Sequence, residues 1–513
     1  MTEITSPALT AVHLVTLGCS RNEVDSAELA ARLEAGGFRL VDDPNAADAV
    51  MVNTCGFIEQ AKKDSIDQII EASDAKEHGR AKAVVAVGCM AERYGAELAD
   101  SLDEADAVLG FDDYGDIASK LQSIINGEKH ISHTPKDRRL MLPISPAQRQ
   151  AAASTVFTPG HLDRLDDRGD GLDDRAPEVA GPASGPPVLR RRIGSGPMSP
   201  LKLASGCDRR CTFCAIPSFR GSYLSRPVAD IVAEAEWMTT TGVREVFLVS
   251  ENSSSYGKDL GDIRLLEKLL PELSRIDGLD WIRVSYLQPA EVRPGLIEAM
   301  TSTPKVVPYF DLSFQHAAPG VLRRMRRFGD PERFLDLLER IRALAPTAGI
   351  RSNFIVGFPG ETEDDLATLT DFMEAARLDV MGVFAYSDEE GTEAVDLDGH
   401  LDADEIAARA AHVQDLVDAL VDQRAEERIG ETVEVLIESL EVDDPEAVLA
   451  ASSHRGVPGP SPILAAGRAA HQGPDVDGTT NVRLTAPRTV GEVVTAEVVA
   501  SDGVDLVAVA SDR

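Results

Sequence analysis

The chain has 513 residues, 43% of them hydrophobic, with 51 Lys and Arg against 86 Asp and Glu and a formal net charge of −35. The length predicts several domains with buried cores, and the composition excludes wholesale disorder. No run approaches the ~18 apolar residues of a membrane span, and residues 1–10 lack the features of a signal peptide. We therefore expect a cytoplasmic protein without a membrane partner. Its acidic surface should favour basic proteins over nucleic acid as binding partners.

Strand and helix patterns alternate through residues 11–130. The apolar runs VHLVTLG, AVMVNT and AKAVVAVG each end at a cysteine, and helical patterns follow at 24–35, 58–72 and 91–99. This alternation predicts a parallel α/β domain of the flavodoxin or Rossmann type. The three cysteines, Cys19, Cys55 and Cys89, are called here the strand-end triad. Because parallel strands end at one edge of a sheet, we expect these thiols to converge on one ligand.

Three further segments complete an α/β multidomain chain. Residues 137–197 are rich in Pro, Gly and charge, and they predict a flexible linker or insertion. Six strand–helix units return in residues 199–430, which suits a partial or full barrel with its site at the strand carboxyl ends. Residues 432–513 contain short β patterns and predict a small closed barrel, in which 13 Asp or Glu stand against five Arg and no Lys.

A second group of cysteines lies within one loop after the strand LKLAS. In GCDRRCTFC, Cys207, Cys211 and Cys214 form a C-x3-C-x2-C array, called here the loop triad. A compact loop with three thiolates suits a 4Fe–4S cluster with one iron left open for a ligand. Zinc is the alternative, although zinc sites usually use paired C-x2-C or Cys/His sets.

These are the chain's only six cysteines, and their small number and clustering indicate metal binding rather than disulfides. For the strand-end triad the alternative is three unrelated buried thiols, since free Cys is among the most buried residue types. Three cysteines at matched positions favour a second cluster instead.

Several motifs resemble the radical-SAM methylthiotransferase family. TLGCSRNEVDSAEL, VNTCGFIEQAKKDSI and VGCMAERYG are similar to its amino-terminal domain, GCDRRCTFCAIPSFRG to its radical-SAM loop, and the tail to its OB-like TRAM barrel. The resemblance implies a (β/α)6 partial TIM barrel in the centre. It also implies two 4Fe–4S clusters: the loop triad would hold the one that binds S-adenosylmethionine, and the strand-end triad an auxiliary one. The long segment 137–197 departs from the family pattern.

The resemblance implies further contacts to S-adenosylmethionine. Phe213 matches the position beside the adenine, with a packing role as the alternative, and Glu251 in LVSEN matches a contact to the methionine moiety. Gly357 in FIVGFPGETE matches a later strand–loop near the adenine. No catalytic side chains are expected, because the cofactors carry the difficult chemistry. The histidines taken as structural are His13, His316 and His471.

The family divides between enzymes acting on adenosine in transfer RNA and enzymes acting on an aspartate of small-subunit ribosomal protein S-twelve. GCDRRCTFC resembles the ribosomal-protein branch, and an acidic tail without Lys suits a basic protein better than RNA. We therefore expect a methylthio group to be added to the β-carbon of that aspartate, giving 3-methylthioaspartate, without direct binding of transfer RNA. The alternatives are N6-isopentenyl- or threonylcarbamoyl-adenosine in transfer RNA as substrate, or a non-enzymatic iron–sulfur scaffold or sensor. The sequence identifies neither the sulfur donor nor the electron donor.

Overall fold

A computed structural model describes residues 9–141, 190–441 and 463–511. Its helices are α1 Ser20–Ala35, α2 Glu59–Glu77, α3 Cys89–Ser101, α4 Ile117–Ile125, α5 Ile216–Arg220, α6 Val228–Thr240, α7 Leu265–Ser274, α8 Pro294–Ser302, α9 Pro319–Arg324, α10 Pro331–Leu344, α11 Glu363–Ala376 and α12 Ala403–Glu426. Its strands are β1 Thr10–Thr16, β2 Phe38–Leu40, β3 Ala49–Thr54, β4 Ala83–Gly88, β5 Ala107–Val108, β6 Met198–Lys202, β7 Ala204–Ser205, β8 Leu224–Ser225, β9 Glu245–Val249, β10 Trp281–Val284, β11 Tyr309–Asp311, β12 Gly349–Val356, β13 Val380–Ala385, β14 Thr432–Glu441, β15 Ile463–Ala469, β16 Thr480–Leu484, β17 Val493–Asp502 and β18 Asp505–Ala510. None of these helices is long and apolar enough to cross a bilayer.

The amino-terminal domain is a five-stranded sheet in the order β2-β1-β3-β4-β5, with every pairing parallel. All six residues of β3 and all six of β4 are buried, as expected for central strands covered on both faces. Two separate apolar clusters, built largely from alternating residues of these strands, pack against helices. The predicted parallel α/β domain is confirmed, although the short strand β2 was not predicted.

Six parallel strands form the central domain. They make two three-stranded sheets, β10-β9-β6 and β11-β12-β13, which isolated parallel bridges such as Leu287–Leu312 join into one arc. The largest apolar cluster of the molecule lies between this arc and its helices. The partial barrel that the sequence predicts is therefore confirmed, and its strand carboxyl ends face the amino-terminal domain.

Five carboxyl-terminal strands close into a barrel in the order β14-β15-β16-β18-β17. The predicted small barrel is confirmed, but strand β15 was not predicted because its sequence, ILAAGRA, is rich in Ala and Gly and poor in β-branched residues. Arg468 of this strand reaches Glu245 of the central domain at 2.6 Å, and Arg283 donates to the other oxygen of the same carboxylate at 2.6 Å. This buried group joins the carboxyl-terminal barrel to the amino-terminal ends of the central strands.

Most of the predicted linker 137–197 lies outside the described residues, which resume at 190. The two described ends of that range are fixed by buried ion pairs. Arg138 contacts Glu92 of the amino-terminal domain at 3.0 Å, and Arg190 pairs with Glu234 of the central domain. The flexibility predicted for residues between them stays a prediction.

Candidate active site

The strand-end triad lies at one edge of the amino-terminal sheet. Cys19, Cys55 and Cys89 follow β1, β3 and β4, which are neighbours in the sheet. Gly18 has φ +90°, and a Cβ atom at this position would lie 2.9 Å from the Sγ of Cys55. Only glycine allows this approach without strain, so Gly18 brings the first two cysteine loops together.

Two guanidinium groups contact this triad. Arg21 Nε donates to Cys19 Sγ at 3.4 Å, and Arg220 Nη2 donates to Cys89 Sγ at 3.0 Å. Burial opposes ionisation of Cys19, but the charges of Arg21 and Arg220 outweigh it and hold the pKa of this thiol below its ordinary value. Burial, together with the neighbouring Cys55 and Cys19, raises the pKa of Cys89 to about 12. The two guanidinium groups therefore favour ionisation of Cys19 over ionisation of Cys89.

Arg220 belongs to the central domain, so its contact with Cys89 crosses the domain boundary. The same guanidinium lies 2.8 Å from Asp25 of α1, which is fully buried and also pairs with Lys202 of β6. A buried carboxylate with two cations from the other domain fixes how the amino-terminal domain sits on the barrel. The sequence did not predict Arg21, Arg220 or Asp25, because isolated charged residues give no signal of spatial proximity.

The loop triad lies between β7 and α5, at the carboxyl end of the first barrel strand. Gly206 has φ +77°, and Cys207 N donates to Gly221 O at 3.0 Å, which folds the loop back on itself. Burial and the neighbouring thiol of Cys211 raise the pKa of Cys214 to about 12, while burial and Cys214 raise that of Cys207 further. The free thiolate forms of Cys207 and Cys214 are therefore disfavoured, and a cation at the centre of the loop triad would reverse that cost.

A cavity of 320 Å³ lies over the loop triad and extends to Arg21, Phe57 and Ile58 of the amino-terminal domain, which are sequence neighbours of Cys19 and Cys55. All three loop-triad cysteines line it, and Arg21, which donates to Cys19, enters from the amino-terminal domain. The charge of Arg21 partly opposes the rise in the pKa of Cys214, so the same guanidinium acts on a cysteine of each triad. This arrangement leaves room for a ligand beside the loop-triad thiols, with the positive charge of Arg21 facing it.

The three predicted cofactor contacts lie at different distances from this cavity. Phe213 and Glu251 line it, and Phe213 meets Phe358 edge to face with the ring centroids 6.4 Å apart. Gly357 does not line the cavity, but Ile355, two residues before it, does. The backbone N–H of Gly357 donates to Glu361 at 2.9 Å, so this glycine shapes the turn after β12.

His316 is fully buried beside that turn. Its Nδ1 accepts from Ala318 N at 3.0 Å, and its Nε2 lies 3.3 Å from Glu361. These contacts agree with a structural histidine, as the sequence indicates.

Two non-glycine residues of the cavity wall adopt left-handed backbone conformations. Tyr286 has φ 58° and Gln315 has φ 71°, and each follows a barrel strand. Such conformations cost energy and cluster at functional sites. Neither residue type predicts this backbone, so these two cavity residues could not be identified from the sequence.

Comparison with known proteins agrees with this arrangement. The model of the uncharacterized protein family UPF0004 matches residues 11–110, that of the radical SAM superfamily residues 201–373, and that of the TRAM domain residues 457–510. The ribosomal protein uS12 methylthiotransferase RimO of Cutibacterium acnes is 60% identical over 503 residues, covering 98% of both chains. That of Nocardioides sp. is 60% identical over 515 residues, covering 99% of both. The chain belongs to the RimO methylthiotransferase family.

Membership confirms the family expected from the cysteine motifs, together with the enzyme class. A solved structure of the radical S-adenosylmethionine methyltransferase TsrM from Kitasatospora setae, with cobalamin and a 4Fe–4S cluster bound, is 15% identical and has a TM-score of 0.49. It covers 73% of this chain and 74% of its own. The RimO family lies within the radical SAM superfamily, which implies a 4Fe–4S cluster and S-adenosylmethionine as cofactors.

The donor sets fit iron–sulfur clusters. Within residues 9–141, 190–441 and 463–511, no three His, Cys, Asp or Glu side chains are arranged to hold one metal ion. A cubane binds each thiolate at a different iron, so its ligands need not meet at one atom. Each triad supplies three thiolates, and all six cysteines of the chain are then used. Three thiolates would leave the fourth iron of such a cluster open to a small ligand.

Proposed function

We propose that this chain adds a methylthio group to the β-carbon of an aspartate in ribosomal protein uS12, giving 3-methylthioaspartate. The observation that carries the proposal is the cavity that the loop triad lines together with Arg21, Phe57 and Ile58, which neighbour Cys19 and Cys55 in the amino-terminal domain. The near full-length similarity to RimO proteins named for uS12 supports the choice of substrate.

In this proposal each triad holds one 4Fe–4S cluster. Residues 199–430 form the core that binds S-adenosylmethionine through the loop triad, and residues 11–130 carry the auxiliary cluster on the strand-end triad. Residues 432–513 form the TRAM barrel. Cluster and S-adenosylmethionine together supply the one-electron chemistry that removes a hydrogen atom from an unactivated carbon.

The protein's own side chains position the reactants. Phe213 presents a ring for the adenine and Glu251 an acceptor for the amino group of S-adenosylmethionine, since both line the cavity. Arg21 and Arg327 line the same cavity and place positive charge where carboxylates bind, which suits the target aspartate and the cofactor's own carboxylate. Docking of the amino-terminal domain closes the strand ends and excludes water from the reacting atoms.

The charge of the chain supports a protein substrate. A net charge of −35 attracts a basic ribosomal protein and repels a phosphate backbone. The composition of the tail also favours a basic protein substrate, because residues 432–513 contain no Lys. Methylthiolation of transfer RNA would need a basic surface in this region.

The experiment is mass spectrometry of two substrates incubated separately with the reconstituted enzyme. Each tube contains S-adenosylmethionine, sulfide and dithionite, with uS12 in one and hypomodified transfer RNA in the other. We expect a gain of one methylthio group in place of hydrogen on an aspartate of uS12 and no change in the RNA. The same gain on adenosine would overturn the substrate, and 5′-deoxyadenosine absent from both tubes would overturn the reaction class.

A further inference from the structure

An arginine-rich groove lies on the outer side of the loop triad and adjoins the cavity described above. We call it the arginine groove; it has a volume of 720 Å³ and contains one carboxylate side chain, that of Asp208. Its cationic lining residues are Arg209, Arg210, Arg323, Arg326, Arg327 and Arg333. The chain has a net charge of −35, so its acidic surface as a whole attracts cationic partners. This concentration of positive charge instead indicates a surface that binds an anionic partner.

Part of this charge is available to a partner. Arg209 pairs with Glu291 and Arg326 pairs with Glu393 at 2.5 Å. Arg210 and Arg323 are exposed, and within the described residues neither pairs with a carboxylate. An exposed aromatic ring, that of Phe328, stands in the same wall at 72% exposure. Cations around an apolar anchor are the composition of a protein docking site.

The groove is separated from the loop triad by very little protein. Arg209 and Arg210 lie between the cluster ligands Cys207 and Cys211 in the sequence. Arg209 and Arg327 line both the groove and the 320 Å³ cavity over the loop triad. Arg327 Nη1 lies 3.9 Å from Cys211 Sγ. A single layer of side chains therefore divides the outer surface from the site of the radical-generating cluster.

We propose that the arginine groove docks an acidic one-electron carrier protein that reduces the cluster on the loop triad. The proposal rests on the proposed function, which requires that cluster in its reduced state. One electron leaves the carrier, which is oxidised, and the cluster held by the loop triad is reduced by the same electron. No bond is made or broken in this step, and no proton moves.

Electrostatics favours this partner at this place. The acidic remainder of the surface repels an acidic carrier, so productive encounters are confined to the groove and oriented by it. Electron-transfer partners form small and transient interfaces, for which steering matters more than buried area. The basic substrate is repelled from the same groove, so carrier and uS12 do not compete. A ribosomal RNA phosphate backbone is the other anionic partner that the groove would attract, and the test separates the two.

The test uses the holoenzyme and a flavodoxin kept reduced by its NADPH-dependent reductase. The variants are R323E, on the surface of α9, and R210E, in the cluster loop. R275E is the matched control, because Arg275 is 69% exposed and lies outside the groove. Two quantities are measured: the Kd of flavodoxin from its flavin fluorescence, and the rate of 5′-deoxyadenosine formation with flavodoxin or dithionite as reductant.

We expect R323E to raise the flavodoxin Kd at least tenfold and to slow the flavodoxin-driven rate, with the dithionite-driven rate unchanged. R275E should alter neither, and added salt should weaken binding to the wild type. Unchanged Kd and unchanged flavodoxin-driven rates in both groove variants would overturn the proposal. A variant that keeps flavodoxin but loses a ribosomal RNA fragment in a gel-shift assay would also overturn it. Failure of the proposed function is seen separately, as no 5′-deoxyadenosine with dithionite from the wild type.

Discussion

The two cysteine triads reach similar donor sets by different routes. All three cysteines of the loop triad lie in one loop, between β7 and α5. The strand-end triad instead depends on three neighbouring strands and on Gly18. Their surroundings differ as well. Arg220 donates to Cys89 at 3.0 Å from another domain, but the guanidinium of Arg327 is 3.9 Å from Cys211. The strand-end triad therefore depends on how two domains dock, while the loop triad depends on its own backbone.

The largest expected effect comes from removing one ligand from each triad. C207A should lose one cluster's iron and abolish formation of 5′-deoxyadenosine, because in the proposed function the loop triad holds the cluster that binds S-adenosylmethionine. C55A should also lose one cluster's iron but keep 5′-deoxyadenosine formation and abolish methylthio transfer to uS12. Iron and sulfide analysis with product mass spectrometry measures all of these. Equal loss of 5′-deoxyadenosine in both variants would contradict the division of labour between the triads.

The next effect concerns the contact that joins the domains. D25N removes a fully buried carboxylate from between Lys202 and Arg220, and breaking such a group should lower the free energy of unfolding by about 3–5 kcal/mol. The control is E34Q on the same helix, whose pair with Arg191 is half-exposed, so we expect a loss below about 1 kcal/mol. Anaerobic urea unfolding of the metal-free proteins measures both.

The same carboxylate gives the sign of a pH effect. Burial opposes ionisation of Asp25, but Arg220 and Lys202 outweigh it and hold its pKa below the ordinary value. The stabilisation is therefore complete above the unfolded pKa and lost as the pH falls through the lower, folded one. The difference between wild type and D25N should stay constant from about pH 6 to 8 and shrink only in acid. A difference that already shrinks between those values would show that Asp25 is not held ionised.

A smaller effect should appear in the auxiliary cluster's reduction potential. In the C207A background the proposed strand-end cluster would be the one that remains, so a redox titration followed by electron paramagnetic resonance would report it alone. Arg220 places a positive charge against Cys89 and favours the reduced, more negative cluster. R220Q should lower the midpoint potential by roughly 60 mV, the value of a tenfold change in a one-electron equilibrium.

R220K is the control for this measurement. Because it keeps the positive charge, its midpoint potential should stay close to that of the wild type. An unchanged potential in R220Q would mean that Arg220 serves domain docking alone. In that case R220Q should still weaken the protein as D25N does, since both variants break the same buried group.

Much of this architecture follows from residue patterns, because βα alternation and a C-x3-C-x2-C loop are local signals. The sequence also placed the strand-end triad correctly at adjacent strand ends, since parallel strands fix where their ends meet. It missed the contact of Arg21 with Cys19. It also missed Arg220 and Asp25, whose partners lie across the domain boundary, and the left-handed backbones of Tyr286 and Gln315. It also missed β15, where tertiary pairing within the barrel overrides weak strand propensity. Contacts between domains produce no periodic pattern in the sequence, so they cannot be predicted from a single chain.

The smallest expected effect separates two interpretations of Phe213 beside the loop triad. If its ring holds the adenine, F213L should raise the KM for S-adenosylmethionine about threefold to tenfold, the value of one lost aromatic contact, with little change in Tm. If Phe213 only packs against Phe358, Tm should fall and KM should stay. F384L is the control, because Phe384 lines the same cavity but has no resemblance to the adenine position. An equal rise in KM for both variants would show that cavity shape, rather than the ring of Phe213, governs cofactor binding.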